Sequence, residues 1–289
     1  MIVVTAAGGP TGTAVVRALR ERGEAVRAVV AGRRPRPELE ELGAEVVLGE
    51  LTQPQPWRDL LDGVDALYLI WPNVHPDEGD GARAIFAEAR RAGLPRLVYH
   101  SVLRPQARAM PHHAAKDRVE EALDSSGLRW RVLQPCAYAT NLDGALADAV
   151  ATGLFRSAWG LEQPQSLVDL RDVAEAAAVL LTEDGLDGGT FEAVGPQPLT
   201  APRIAALLAD RIGRPVRAVD AVPDGPVPPL GATPEQYAAH CLRRMFDHYR
   251  AQGFTGSPRV LEALLGRPAR TFAEHLAGVV RLSAGGERA

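Results

Sequence analysis

The sequence predicts a doubly wound α/β fold on a parallel sheet, and three observations carry that expectation. Short runs rich in Val, Leu, Ile or aromatic residues recur at 2–4, 25–30, 45–48, 66–70, 96–101 and 129–133; helical patterns lie between them; and the first strand-to-helix turn is rich in glycine. Alternation of this kind implies parallel strands joined by crossover helices.

The chain opens on Ile2-Val3-Val4, turns through Thr5-Ala6-Ala7-Gly8-Gly9-Pro10-Thr11-Gly12, and continues into an amphipathic helix from Thr13. Gly9 and Gly12 leave room for a pyrophosphate to approach the backbone and for the helix to pack on the strand. The free N–H groups and positive dipole end of the helix face the anion. A dinucleotide is therefore the first ligand suggested, held at Ala7, Gly9, Pro10, Thr11 and Gly12, although Ala6 stands where the usual fingerprint has its first glycine.

Further helices are expected at 57–62, 78–92 and 112–126. After Pro135 the rhythm changes to a helix at 141–152, an exposed-looking loop, a strand at 166–168, an alanine-rich helix at 171–181, a strand at 190–194 and a helix at 201–212. Prolines across 222–234 exclude regular sheet there, and helices near 235–251 and 272–282 precede a glycine-containing tail. The division expected is a Rossmann-like nucleotide-binding domain at 1–135, to which 166–196 returns, and a smaller, mostly helical C-terminal substrate lobe at 136–165 and 197–289.

Composition narrows the classes. With 289 residues, 46% hydrophobic and 24% charged, the chain can bury a sizeable core, and a net charge of −4 provides no positive field for a nucleic acid. Cys136 and Cys241 stand far apart without metal-ligand spacing, so no metal is expected and both thiols read as reduced. The opening residues show no signal-peptide pattern, and charge or proline interrupts the later apolar runs. A cytoplasmic protein without a membrane partner is the expectation, its oligomeric state open.

The second strand ends at Val30 and is followed by Ala31-Gly32-Arg33-Arg34, with no carboxylate to accept hydrogen bonds from an adenosine ribose. Arg33 and Arg34 instead offer guanidinium donors for a 2′-phosphate, which favours NADP(H) over NAD(H), whereas Arg36 reads as surface charge. Trp71 and Pro72, at the carboxyl end of the fourth strand, offer an apolar border for the nicotinamide. His112 and Lys116 lie four apart on a helix and share a face. His113 lies three from Lys116, so helical geometry leaves open which imidazole faces the ligand. Tyr138 and Asn141, after the sixth strand, are candidates for ligand contact or for packing. Met110, Phe155, Trp159, Phe246 and Tyr249 are candidates for an apolar substrate cavity.

Several separated segments together resemble the NmrA-like group of atypical short-chain dehydrogenases/reductases. They are the opening turn, Gly49-Glu50-Leu51-Thr52, Leu97-Val98-Tyr99-His100-Ser101, His112-His113-Ala114-Ala115-Lys116, Ser126-Gly127-Leu128, Leu133-Gln134-Pro135, Asn141-Leu142, the run from Val168 to Ala174, and Gly195-Pro196. The resemblance spans roughly 1–280. It implies cofactor contacts at Glu50, Leu51 and Tyr138, a substrate-orienting hydroxyl at Ser101, and a catalytic pair in which His112 takes the place of a tyrosine and Lys116 binds the nicotinamide ribose. Three departures accompany it: Ala6, Glu50 in place of a common aspartate, and Gln134 in place of an arginine.

The expected function is an NADPH-dependent reductase that delivers hydride to a C=O, C=N or conjugated C=C bond of an apolar, aromatic or quinone-like small molecule. His112, titrating near neutrality, would give the proton. Two alternatives are a non-catalytic NADP(H) sensor and a cofactor-retaining isomerase or lyase.

Overall fold

The computed structural model describes residues 1–32, 36–51, 57–221, 223–231 and 233–285, with side chains described to residue 279. Its chain divides into two compact units: Met1–Gln134 with Val173–Glu192, and Pro135–Asp172 with Ala193–Ala289.

The first unit contains β1 (Ile2–Val4), α1 (Pro10–Glu21), β2 (Val26–Val30), α2 (Pro37–Glu41), β3 (Glu45–Leu48), α3 (Trp57–Leu61), β4 (Ala66–Leu69), α4 (Glu78–Arg91), β5 (Leu97–His100), α5 (Pro111–Asp124) and β6 (Trp130–Pro135). Strands β3-β2-β1-β4-β5-β6 lie side by side in that order, every pair among them parallel. The order reverses at β1, and this switch point is where doubly wound sheets bind ligands. The sheet's core side chains include Val3, Leu67, Leu69, Leu97, Tyr99 and Val132, packed with Ile85 and Phe86 of α4 and Val119 and Leu123 of α5. Helix formation on α4 follows its pattern: positions 78, 82, 85, 86 and 89 are buried, one stripe at helical spacing.

The remaining elements are β7 (Ala137–Tyr138), a 3-10 turn (Ala139–Leu142), α6 (Asp143–Thr152), β8 (Leu154–Ser157), β9 (Gln165–Val168), α7 (Leu170–Thr182), β10 (Gly189–Ala193), β11 (Pro198–Leu199), α8 (Ala201–Ile212), β12 (Arg217–Asp220), α9 (Pro234–Gln252), α10 (Arg259–Leu265) and α11 (Phe272–Gly285). The chain returns to the first unit over Val173–Glu192, a shorter stretch than 166–196, and β10 lies next to β6 as a seventh strand. The reason is pairing: β9 is bonded to β7 and β11 within the second unit. Arg131, fully buried on β6, clamps the returning helix by donating to the carbonyls of Leu180 and Glu183 and to the Asp187 carboxylate.

In the second unit the segment expected as a loop contains β8, which pairs in parallel with β12. Phe155 and Ser157 are buried on alternate positions of β8, so the strand is a short half-buried ribbon. Asp172 is buried and accepts from both the Arg267 and Arg270 side chains and the Arg270 N–H, tying the start of α7 to the segment before α11.

Candidate functional site

The glycine turn has the geometry its sequence implies. A Cβ on Gly12 would lie 2.5 Å from the Ala6 carbonyl oxygen and 2.6 Å from the Ala7 Cα, so only glycine lets α1 seat on the turn. Gly9 is the N-cap of α1 and Pro10 occupies its first turn, a position that needs no N–H donor. Ala7 donates its N–H to the Val29 carbonyl at 2.9 Å and accepts from Thr13 Oγ1 at 2.9 Å, locking the turn against the end of β2. Ala6 has φ +46°, which explains the usual glycine here: the position lies in the left-handed region, and this chain holds an alanine there. These residues fit a dinucleotide phosphate group, since a Cβ on Gly9 would meet nothing nearer than the Ala6 carbonyl oxygen at 3.5 Å and the Thr11 and Gly12 amides lie in the first turn of a twelve-residue helix.

Arg33 and Arg34 lie outside the described residues. Arg36 departs from the surface role expected of it. Its guanidinium lies over Gly8, with Nε buried and no hydrogen-bond partner among the described residues. Leu51 is buried and Glu50 is partly so. Trp71 is a core residue; its ring packs where a Cβ on Gly81 of α4 would fall, so close packing on α4 and not an open border is what its position provides.

At the carboxyl end of β5 the structure assembles a buried polar network that includes Lys116. Lys116 Nζ lies 2.6 Å from Glu78 Oε1, 3.1 Å from the His100 carbonyl and 3.4 Å from the Tyr99 hydroxyl. Tyr99 donates to the same Glu78 oxygen at 2.7 Å, and Glu78 is 1% exposed. The lysine partner is thus a residue of α4, not one of the acidic neighbours Asp117, Glu120 and Glu121 on its own helix. Burial, with Glu78 next, holds the Tyr99 hydroxyl well above its ordinary pKa. On the neighbouring strand Tyr68 Oη lies 2.6 Å from His100 Nδ1, a diagonal pair across β4 and β5. Burial, aided by the Lys116 charge, pushes the His100 imidazole down to about 3.

His112 and His113 are both buried at the start of α5, their rings edge to face at 6.1 Å. Burial, then the Lys116 charge, pushes His112 down to about 2. Titration near neutrality is therefore corrected: desolvation beside a cation leaves His112 uncharged at neutral pH. His113 faces the Arg104 carbonyl at 3.3 Å. Ser101 is buried and donates to Glu120, whose carboxylate also accepts from Gln134 Nε2 at 2.9 Å on each oxygen. Burial raises the Glu120 pKa. The hydroxyl expected to orient a substrate is thus turned onto α5, and Gln134, one of the departures, is its neighbour's amide donor.

Met110 belongs to the first unit, where it caps α5 and is fully buried. The other cavity candidates belong to the second. Phe155 and Trp159 pack edge to face at 6.4 Å, Phe246 meets Tyr249 at 6.4 Å, and Tyr249 stacks on Phe254 at 4.7 Å. Asn141 is exposed and Tyr138 half-buried. The sequence analysis did not find Glu78, Tyr68, His100 or Glu120; for Glu78 a signal existed, a carboxylate on the apolar stripe of α4. Among the described residues no His, Cys, Asp and Glu group could hold a metal ion, and no helix is long and apolar enough to cross a membrane. Cys136 and Cys241 are both buried thiols.

Fold and turn together define a Rossmann-type α/β protein whose first strand-to-helix turn fits a dinucleotide phosphate. The chain belongs to the NmrA-like family, which matches residues 1–263. It is 30% identical over 282 residues to the (4-alkanoyl-5-oxo-2,5-dihydrofuran-3-yl)methyl phosphate reductase of Streptomyces griseus, covering 95% of this chain and 98% of that one. With the NAD(P)H azoreductase of Xenophilus azovorans it shares 29% identity over 280 residues, covering 95% and 96%. In fold it is similar to the NADPH complex of the Escherichia coli quinone oxidoreductase QOR2, with a TM-score of 0.82 at 23% identity over 97% of this chain and all of that one. The negative transcriptional regulator NmrA also shares the fold, with a TM-score of 0.79 at 19% identity over 99% of this chain and 98% of that one.

Proposed function

We propose that this chain is an NAD(P)H-dependent reductase, with NADP(H) the preferred cofactor, acting on a polarised or conjugated double bond of an apolar, aromatic or quinone-like small molecule. The observation that carries this reading is the turn: Gly12 seats α1 against Ala6 and Ala7, and the helix N-terminus is left to receive a pyrophosphate. Relatives that reduce azo and unsaturated lactone compounds over nearly the full chain support it. When bound, the nicotinamide would supply the hydride. Ala7, Gly9, Pro10, Thr11 and Gly12 would hold the phosphates, Glu50 and Leu51 would border the adenine, and an arginine from the segment after β2, for which the sequence offers Arg33 and Arg34, would bring charge to the 2′-phosphate.

The chain's own residues align more than they titrate. Lys116 holds the β5 terminus through the His100 carbonyl and is itself held by Glu78. His112 is uncharged and serves as a hydrogen-bond donor or acceptor toward the acceptor's heteroatom, and the product proton comes from water. Such a site suits acceptors whose reduced form protonates readily in solvent. Asn141, Phe155, Trp159 and Phe246, all of the second unit, are proposed as surroundings of the substrate.

A second reading, a non-catalytic NADP(H) sensor, draws on the same network, because all three Lys116 protons are engaged and no charged acid stands at His112. The test is a panel of quinones, azo compounds and enones with NADPH carrying deuterium at the nicotinamide C4. Deuterium in a product establishes the reductase. Stoichiometric binding with no NADPH oxidation across the panel would overturn it in favour of the sensor.

A further inference from the structure

We infer that Arg36, by reaching back over the glycine turn, is the residue that reads the 2′-phosphate and sets the preference for NADP(H). The inference rests on the cofactor reading above and goes beyond it in naming this side chain, which the sequence reading left on the surface.

Position is the first argument. Arg36 precedes α2 with a non-helical backbone, φ −128° and ψ 65°, and its side chain returns to the turn. A Cβ on Gly8 would lie 2.7 Å from Arg36 Nε and 3.0 Å from both Cζ and Nη2, so the guanidinium fills the space that a side chain at Gly8 would need. Gly8 follows Ala7, which is hydrogen-bonded to the Val29 carbonyl near the end of β2. In Rossmann-type sites the adenosine ribose is read near the end of the second strand and the pyrophosphate at the N-terminus of the first helix.

Chemistry is the second. Arg36 Nε is buried with no hydrogen-bond partner among the described residues. An unpaired buried donor on a permanently charged fork is a cost that folding does not explain and that a phosphate oxygen would remove. β2 ends without a carboxylate, continuing through Ala31 and Gly32, so no acidic side chain immediately after it competes for the guanidinium or repels the phosphate.

The experiment uses two probes that differ only in the 2′-phosphate, adenosine 2′,5′-bisphosphate and adenosine 5′-monophosphate, with NADP⁺ and NAD⁺ alongside, all measured by calorimetry on the full chain. In Arg36→Ala, affinity for the bisphosphate and for NADP⁺ falls ~10- to 100-fold, the size of a charge-assisted contact, while the monophosphate and NAD⁺ keep theirs. Arg36→Lys keeps the charge without the fork and recovers part of the loss. Gly8→Ala displaces the guanidinium without deleting it and lowers the same ratio, which keeps the test available should Arg36→Ala fold poorly. An unchanged ratio in Arg36→Ala and Gly8→Ala overturns the inference. So does an equal loss for both probes, or a ratio lost only in Arg33→Ala/Arg34→Ala. Wild-type protein that binds neither NADP⁺ nor NAD⁺ would instead overturn the cofactor reading itself.

Discussion

Glu78 and Lys116 form an ion pair at 2.6 Å with side chains 1% and 8% exposed, and a pair so deeply buried behaves differently from a surface salt bridge. Its attraction offsets a large desolvation cost, so removing one partner leaves a charge in an apolar site. Glu78→Gln is expected to destabilise the chain by ~3–5 kcal/mol, whereas Glu78→Gln with Lys116→Met restores most of that loss because both charges go together. Urea unfolding of the two variants checks it; a double variant no more stable than the single one would show that the pair does not act as a unit. The pair was illegible in the sequence for a simple reason. Its members lie 38 residues apart, and helix geometry directs attention to partners three or four residues away. The histidine at 112 was visible as a residue, yet its protonation state was not, because desolvation depends on a packing that spacing alone does not reveal.

At the scale of elements, the strands and helices of the first unit were legible because each is a local run, and parallel order follows from their alternation. Gly12 and Gly195 were legible too. A Cβ on Gly195 would overlap the Leu167 carbonyl, which gives the Gly195-Pro196 segment a packing reason. What escaped were two-residue and four-residue strands such as β7, β8, β11 and β12, too short to show a period and stabilised by partners distant in the chain. The turn between β1 and α1 yields a paired expectation. Ala6→Gly relieves a left-handed alanine and, after the extra freedom of glycine in the unfolded chain, raises stability by up to ~1 kcal/mol. Gly12→Ala places a methyl group against the Ala6 carbonyl and abolishes dinucleotide binding. Thermal unfolding and calorimetry with NADP⁺ report the two effects separately; Gly12→Ala with wild-type affinity would mean that α1 need not seat on the turn.

For the molecule as a whole, the buried imidazoles govern acid stability. His100 and His112 fall from an ordinary 6.5 to about 3 and about 2 on folding. Because the folded-state values are depressed, the unfolded chain binds more protons at every pH between the two limits. Their contribution to stability is therefore complete above pH 6.5 and is lost as pH falls through the window down to about 3 and then about 2. Each imidazole adds a slope approaching ~1.4 kcal/mol per pH unit. Asp169 and Asp187, whose pKa values are lowered despite burial by their bonds to Arg171, Arg129 and Arg131, act in the same direction but only below the ordinary aspartate value of 3.8. Glu120 acts oppositely, since burial raises its pKa above 4.5 and protonation eases its place in the fold. Between pH 6 and 5 the two histidines accordingly dominate these groups, and urea midpoints should drop steeply there. His112→Gln should remove about half of that slope, and the same variant should leave the pH profile of turnover without any lost limb near 6.5, since the imidazole is uncharged throughout the working range. A wild-type midpoint that stays flat from pH 7 to 5 would mean that His100 and His112 keep ordinary protonation in the folded chain, and with it the acid role at His112 would return.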